Sequence, residues 1–197
     1  MSRLSRPSRS SCSGGFHEAC PTVLLTLVLA LAAAASPAQA PGEASTPVQR
    51  LQAMGIELPE VAPPVANYVR AVTTGNLVFL AGHIPRTADG EVVTGKLGRD
   101  LDWEQGYEAA KLSAIAMLAS LQAEIGDLDR VRRIVRVTGM VNSDPAFVDQ
   151  SKVINGCSDF LVEVFGERAR HARAAVGMAS LPLGAAVEID MIVEIAP

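Results

Sequence analysis

The sequence predicts an α+β domain in which two helices cover one face of a mixed sheet. Two long stretches repeat apolar residues every three or four positions, as helices do. Shorter apolar or alternating stretches read as strands. Gly, Pro, Asn and Asp punctuate them in the order strand, strand, helix, strand, helix, strand, strand. The chain shows no internal repeat and no second domain.

Residues 41–47 (PGEASTP) are a polar linker, followed by a helical turn over residues 50–55 and an extended entry over residues 59–64. Residues 67–72 (NYVRAV) are the first strand, closed by Thr74, Gly75 and Asn76. Residues 77–81 (LVFLA) return, and Gly82, His83, Ile84 and Pro85 follow. The first long helix fits residues 104–125. Tyr107, Ala110, Ala114, Met117, Leu118, Leu121 and Ile125 form its apolar stripe, and Gly126 and Asp127 end it. Residues 131–141 are a strand with Val135, Val137 and Val141 on one side. Asp144 as N-cap and Pro145 at the first helical position start the second helix. Val148, Val153, Ile154, Cys157, Phe160, Leu161 and Val164 are its buried stripe, and Gly166 stops it.

Residues 171–195 read as two strands joined by a tight turn at Leu181, Pro182, Leu183 and Gly184. With those four residues as the loop of a hairpin, Val176 faces Ile189 and Met178 faces Val187 on an apolar side. Alternation then sets Arg173, Ala175 and Gly177 against Ile192, Asp190 and Glu188 on the other. Arg173 and Glu188 would share this non-core face at a backbone separation on the order of 13 Å, too far for a direct ion pair. Two such side chains can still converge on a small molecule. Solvated surface charge is the plainer reading, but Ala174, Ala175 and Gly177 leave open space around Arg173 rather than polar cover. A helix-free face that mixes charge with Ile192 is expected to be covered by another chain.

These residues resemble the Rid family (reactive intermediate deaminases, also called YjgF or L-PSP endoribonucleases). The carriers are Tyr68 with Val69, Gly75 with Asn76, Gly82 with Ile84 and Pro85, Arg173 with Val176, Leu181 with Pro182, and the Glu188-Ile189-Asp190 strand. Gly55 to Pro59 (GIELP) and the H-A-R-x-A-V-G run from His171 are similar to a divergent branch. The resemblance spans residues 48–197 and implies a chorismate-mutase-like fold. It also implies a homotrimer around a central barrel, with ligand clefts between subunits.

It further implies hydrolysis of enamines and imines such as 2-aminoacrylate to 2-keto acids and ammonia, with no cofactor and no metal. Arg173 matches the carboxylate-binding arginine, Glu188 the water-orienting glutamate, Gly82 the glycine of the site and Tyr68 a cleft tyrosine. Asn155 matches a cleft asparagine if one residue is inserted before Arg173. Departures occur at Ala81 and His83, where Ser and Gln are usual, and at Ala175, which stands in place of a cleft cysteine. His83 and His171 are additional candidate proton carriers, although solitary histidines are more often structural. The alternative is a trimeric carboxylate-binding protein without efficient turnover, and an endoribonuclease comes third. Arg130, Arg132, Arg133 and Arg136 read as a solvated strand edge, because few aromatics are present and the chain is acidic; no nucleic-acid partner is expected.

Arg3, Arg6 and Arg9, an apolar run over residues 23–35 and Ala38-Gln39-Ala40 resemble a secretory signal over residues 1–40. A periplasmic or secreted domain with no membrane span is the expectation. Glu18 and Pro41 fit that reading poorly, and a cytoplasmic domain with a misassigned start is the alternative. Without Arg3, Arg6, Arg9 and Glu18, the 17 basic and 21 acidic side chains fall to 14 and 20, a formal charge of −6. Cys157 is then the sole cysteine, so no intrachain disulfide is possible.

Overall fold

A computed structural model describes residues 45–61 and 66–197. The leader expected over residues 1–40 and most of the linker lie outside the described residues. Pro47–Ala53 forms α1, opened by a capping box in which Thr46 and Gln49 satisfy each other's backbone amides. It therefore starts inside the expected linker.

The strands are β1 (Ala71–Thr74), β2 (Leu77–His83), β3 (Val131–Asn142), β4 (Ala172–Met178) and β5 (Val187–Ile195). The helices between them are α2 (Trp103–Ile125) and α3 (Gln150–Phe165). The sheet order is β1-β2-β5-β3-β4. β4 runs parallel to β3, and the other neighbours are antiparallel, so the sheet is mixed as expected. Gly75, at a positive φ of 58°, and Asn76 make the two-residue turn between β1 and β2. β1 begins at Ala71, later than the sequence suggests.

Asp102 and Gln105 form the capping box that starts α2. α2 packs on β1, β2 and β5, while α3 lies over β3 and β4. The two helices meet closely, since a Cβ on Gly156 would strike the Tyr107 carbonyl oxygen. Every second residue of β5, from Val187 to Ile195, is buried beneath them. Fully burying an aliphatic side chain of this kind stabilises the fold by about 1.5–3 kcal/mol.

The structure corrects four expectations. The last two strands are not a hairpin: β3 lies between β4 and β5. Residues 179–186 cross the end of β3, where Ser143 N–H donates to Met178 O and Asn142 N–H donates to Ala186 O. The second helix starts at Gln150, because Asp144 and Pro145 open a turn closed by Phe147 N–H to Asp144 O at 3.0 Å. Val148 is accordingly exposed rather than part of the buried stripe. Finally, a bulge between Ile134 and Arg136 changes the phase of β3, so Ile134 and Val137 both face the core and Val135 does not.

Candidate functional site

β4 is an edge strand, and its register decides where Arg173 points. Arg173, Ala175 and Gly177 pair with Val137, Gly139 and Val141, which places them on the helix-covered face. Arg173 therefore meets α3: its Nη1 donates to Asn155 Oδ1 at 2.8 Å and to Ser158 Oγ at 2.9 Å. Asn155 and Ser158 are three residues apart and share one side of the helix. Behind them, Ser158 Oγ lies 3.1 Å from His171 Nε2, and His171 Nδ1 lies 2.6 Å from the Ala169 carbonyl. The guanidinium stays exposed. Gly177 does not leave open space, since a Cβ there would come within 2.7 Å of Ser143 Oγ and 3.0 Å of Gln150 Nε2.

Glu188 belongs to the opposite face. It pairs with Met140, as does Val176 from the other side, and all three project from the face without helices. The expected sharing of one face by Arg173 and Glu188 is therefore wrong, because the hairpin register behind it omitted β3. The two lie three rows and two strands apart, a backbone separation on the order of 14 Å with the sheet between them.

Glu188 meets Gly82 instead. A bulge in β2 sets Ala81 and Gly82 opposite a single residue of β5. A Cβ on Gly82 would collide with Glu188 Oε1 and lie 2.9 Å from its Cδ. The missing side chain is thus the space in which the carboxylate rests. Burial, and then the neighbouring Asp190 charge, raise the Glu188 pKa, which makes it a better proton acceptor near neutrality than an ordinary glutamate.

His83 turns inward from the same bulge. It is buried, with Nδ1 2.7 Å from Ala81 O and Nε2 2.8 Å from Ser120 Oγ of α2. Burial lowers its pKa, the bond to Ala81 opposes this, and the Arg70 charge lowers it further. These contacts make it a core histidine. Tyr68 lies in the irregular stretch before β1, half exposed, with no side-chain hydrogen bond among the described residues. The buried Cys157 thiol is pushed up to about 12, chiefly by burial, and is unreactive at neutral pH.

Residues 48–195 match the family described as "YjgF/chorismate_mutase-like, putative endoribonuclease". The chain belongs to the Rid (YjgF) family. Protein TCP17 of Trypanosoma cruzi is 47% identical over 146 residues, covering 74% of this chain and 91% of that protein. A 2-iminobutanoate/2-iminopropanoate deaminase of Dermatophagoides farinae is 33% identical over 141 residues, covering 71% and 94%. The crystal structure of an Agrobacterium tumefaciens protein of unknown function superposes with a TM-score of 0.69 at 48% identity, covering 75% of this chain and 92% of that one.

Of the residues matched to the Rid pattern, the fold thus brings together two pairs, Arg173 with Asn155 and Gly82 with Glu188, but not the pairs with each other. Ser158 carries no motif that the sequence singles out. Its spacing of three from Asn155 on a helix was the available signal.

Proposed function

We propose that this Rid-family protein hydrolyses enamine and imine intermediates of the 2-aminoacrylate type, in a site shared between copies of the chain. The observation that carries the reading is the exposed guanidinium of Arg173, held against α3 through a single nitrogen. A planar cation fixed in this way, with its remaining donors unpartnered among the described residues, suits a carboxylate. The similarity to the Dermatophagoides farinae deaminase supports the same class of reaction.

Once an enamine has tautomerised to its iminium form, the carbon beside the carboxylate is electrophilic. A water lying against Glu188 gives that carboxylate a proton as its oxygen bonds to the carbon. Glu188 returns that proton to the nitrogen of the resulting carbinolamine, the C–N bond breaks as the C=O bond forms, and the hydroxyl proton leaves with the ammonia. One iminium and one water become one 2-keto acid and one ammonium ion. The residues matching the Rid site supply binding, orientation and a proton acceptor, which is all this sequence requires.

Arg173 and Glu188 of one chain cannot both reach one small ligand, so a complete site needs Glu188 from a neighbour. The open face favours such an assembly. It carries the apolar row Val72, Phe79 and Ile192, and Val72 and Phe79 are 52% and 41% exposed in the single chain. We take the assembly to be a homotrimer with three equivalent inter-subunit clefts.

Mixing tests chemistry and assembly together. Arg173→Ala and Glu188→Ala should each abolish 2-keto acid release from freshly generated 2-aminoacrylate. When the two inactive proteins are co-refolded in equal amounts, about a quarter of the sites combine an intact Arg173 with an intact neighbouring Glu188, and activity should return to that fraction. No recovery from co-refolded trimers would refute the shared site. No acceleration by the wild-type trimer with any imine would leave a carboxylate-binding protein without turnover.

A further inference from the structure

Arg173 is tied down from one side only. Its Nη1 carries two protons, and the bonds to Asn155 Oδ1 at 2.8 Å and Ser158 Oγ at 2.9 Å use both. Nε and Nη2 have no hydrogen-bond partner among the described residues.

The chain of bonds behind Ser158 has a fixed direction. The Ala169 carbonyl oxygen can only accept, so His171 Nδ1, 2.6 Å away, carries a proton. In a neutral ring Nε2 is then the acceptor, and Ser158 Oγ at 3.1 Å must donate to it. The serine lone pairs are thereby left for Arg173. Burial lowers the pKa of His171, the bond to Ala169 opposes this, and the Arg173 charge lowers it further; the net lowering agrees with the neutral ring that the bond directions require. Several ionisable groups of the neighbouring elements are engaged elsewhere or uncharged, while Glu163 of α3 and Arg136 of β3 make no hydrogen bond or ion pair with His171 or Ser158. Asp159 accepts from Tyr107, Glu167 pairs with Arg170, Arg168 donates to Val131 O, and Cys157 is a thiol.

We propose that Ser158 and His171 are positioning residues that restrict Arg173 to a side-on grip, in which Nε and Nη2 alone take the ligand carboxylate. The proposal rests on the reading of Arg173 as the carboxylate-binding group and adds how it binds. A guanidinium can meet a carboxylate end-on through Nη1 and Nη2, or side-on through Nε and Nη2. End-on binding would have to break a bond from Nη1 to α3. Side-on binding keeps both, so the ligand enters along the edge of β4 facing away from α3. The family's cleft cysteine position, Ala175, lies two residues along the same face. Ser158 and His171 thus fix the angle of the carboxylate without touching it.

The test is a titration of the full chain with pyruvate, a stable 2-keto acid, followed by arginine Nε–H and histidine side-chain nitrogen NMR. The Arg173 Nε–H resonance should move to saturation, and His171 Nε2 should report an unprotonated nitrogen. Ser158→Ala should weaken pyruvate binding about tenfold through loss of a charge-assisted bond. Ser158→Thr, which restores the hydroxyl, should recover it. An Nε–H resonance that stays still while pyruvate binds would overturn the side-on grip. A protonated Nε2, or Ser158→Ala binding like wild type, would overturn the positioning role. Undiminished pyruvate binding by Arg173→Ala would instead refute the underlying reading of the site.

Discussion

Gly82→Ala isolates the placement of Glu188 from everything else the site needs. Gly82 does not have a positive φ, so alanine can adopt its backbone. The new methyl would overlap Glu188 Oε1 and stand 2.9 Å from Cδ and 3.0 Å from Cγ. Carbon atoms in ordinary contact sit about 3.5–4.0 Å apart, so the carboxylate must retreat by on the order of 1 Å. It is the far end of a flexible side chain and can do so. An off-rotamer glutamate costs about 0.5–1.5 kcal/mol. The stiffer unfolded chain offsets this by about 0.4–1 kcal/mol. For a domain of this size the melting temperature should therefore change by no more than about 2–4 °C. The catalytic loss should be far larger, since misplacing a reacting group by about 1 Å costs about 100-fold in rate. Keto-acid release from 2-aminoacrylate should fall by that factor while pyruvate binding, which depends on Arg173, is unchanged. A folded Gly82→Ala protein with wild-type turnover would show that Glu188 does not act from the position over Gly82.

Two titrations follow from the same geometry. Because burial and Asp190 raise the Glu188 pKa, and Glu188 must be ionised to accept a proton, turnover should fall as pH drops through that raised value. Asp190→Asn removes the second cause, so the acid limb of the kcat/KM profile should move to lower pH; an unmoved limb would assign it to another group. Burial holds the folded-state pKa of His83 below 6.5, so the unfolded chain binds the proton first and stability should decline as pH falls below 6.5. His171 is lowered in the same direction. Urea melts across this range should show a shallower decline for His83→Gln than for wild type, and equal slopes would place the effect elsewhere.

What the sequence reveals of this fold is what local periodicity controls. The stripe of α2 runs to Ile125, one turn residue before Gly126, and the core positions of α3 from Val153 to Val164 are buried as their spacing requires. Choices among sheet neighbours are not local. A strand that alternates as β5 does is compatible with any antiparallel neighbour, and nothing between Met178 and Val187 says that the chain crosses over β3 rather than turning back. That one choice sets the faces of both β4 and β5, so the misplaced hairpin and the mistaken coplanarity of Arg173 and Glu188 are a single error. Bulges are invisible for a related reason. The extra residue beside Ile134, and the pair Ala81 and Gly82, reverse the inward and outward phase without changing the pattern of residue types. His83 is buried by this device, so its polarity alone points wrongly to a cleft.

On the proposed roles, Arg173 as anion grip and Glu188 as general base, their separation becomes intelligible once the demands on each are set side by side. An anion grip must be reachable by ligand yet rigid. An edge strand provides access, and the adjacent helix supplies Asn155 and Ser158 to hold the guanidinium. A general base must be partly withdrawn from water to hold its raised pKa. The inner strand β5, with a glycine beside it, provides that withdrawal without burying the carboxylate in the core. No single strand of this sheet offers both environments, because its one edge next to α3 is β4 and its bulge glycine is on β2. A second copy covering the open face would resolve the conflict, bringing the withdrawn base of one chain to the exposed grip of the next. The apolar row of Val72, Phe79 and Ile192 would then serve the chemistry as well as the assembly, since burying it closes the cleft in which water and imine meet.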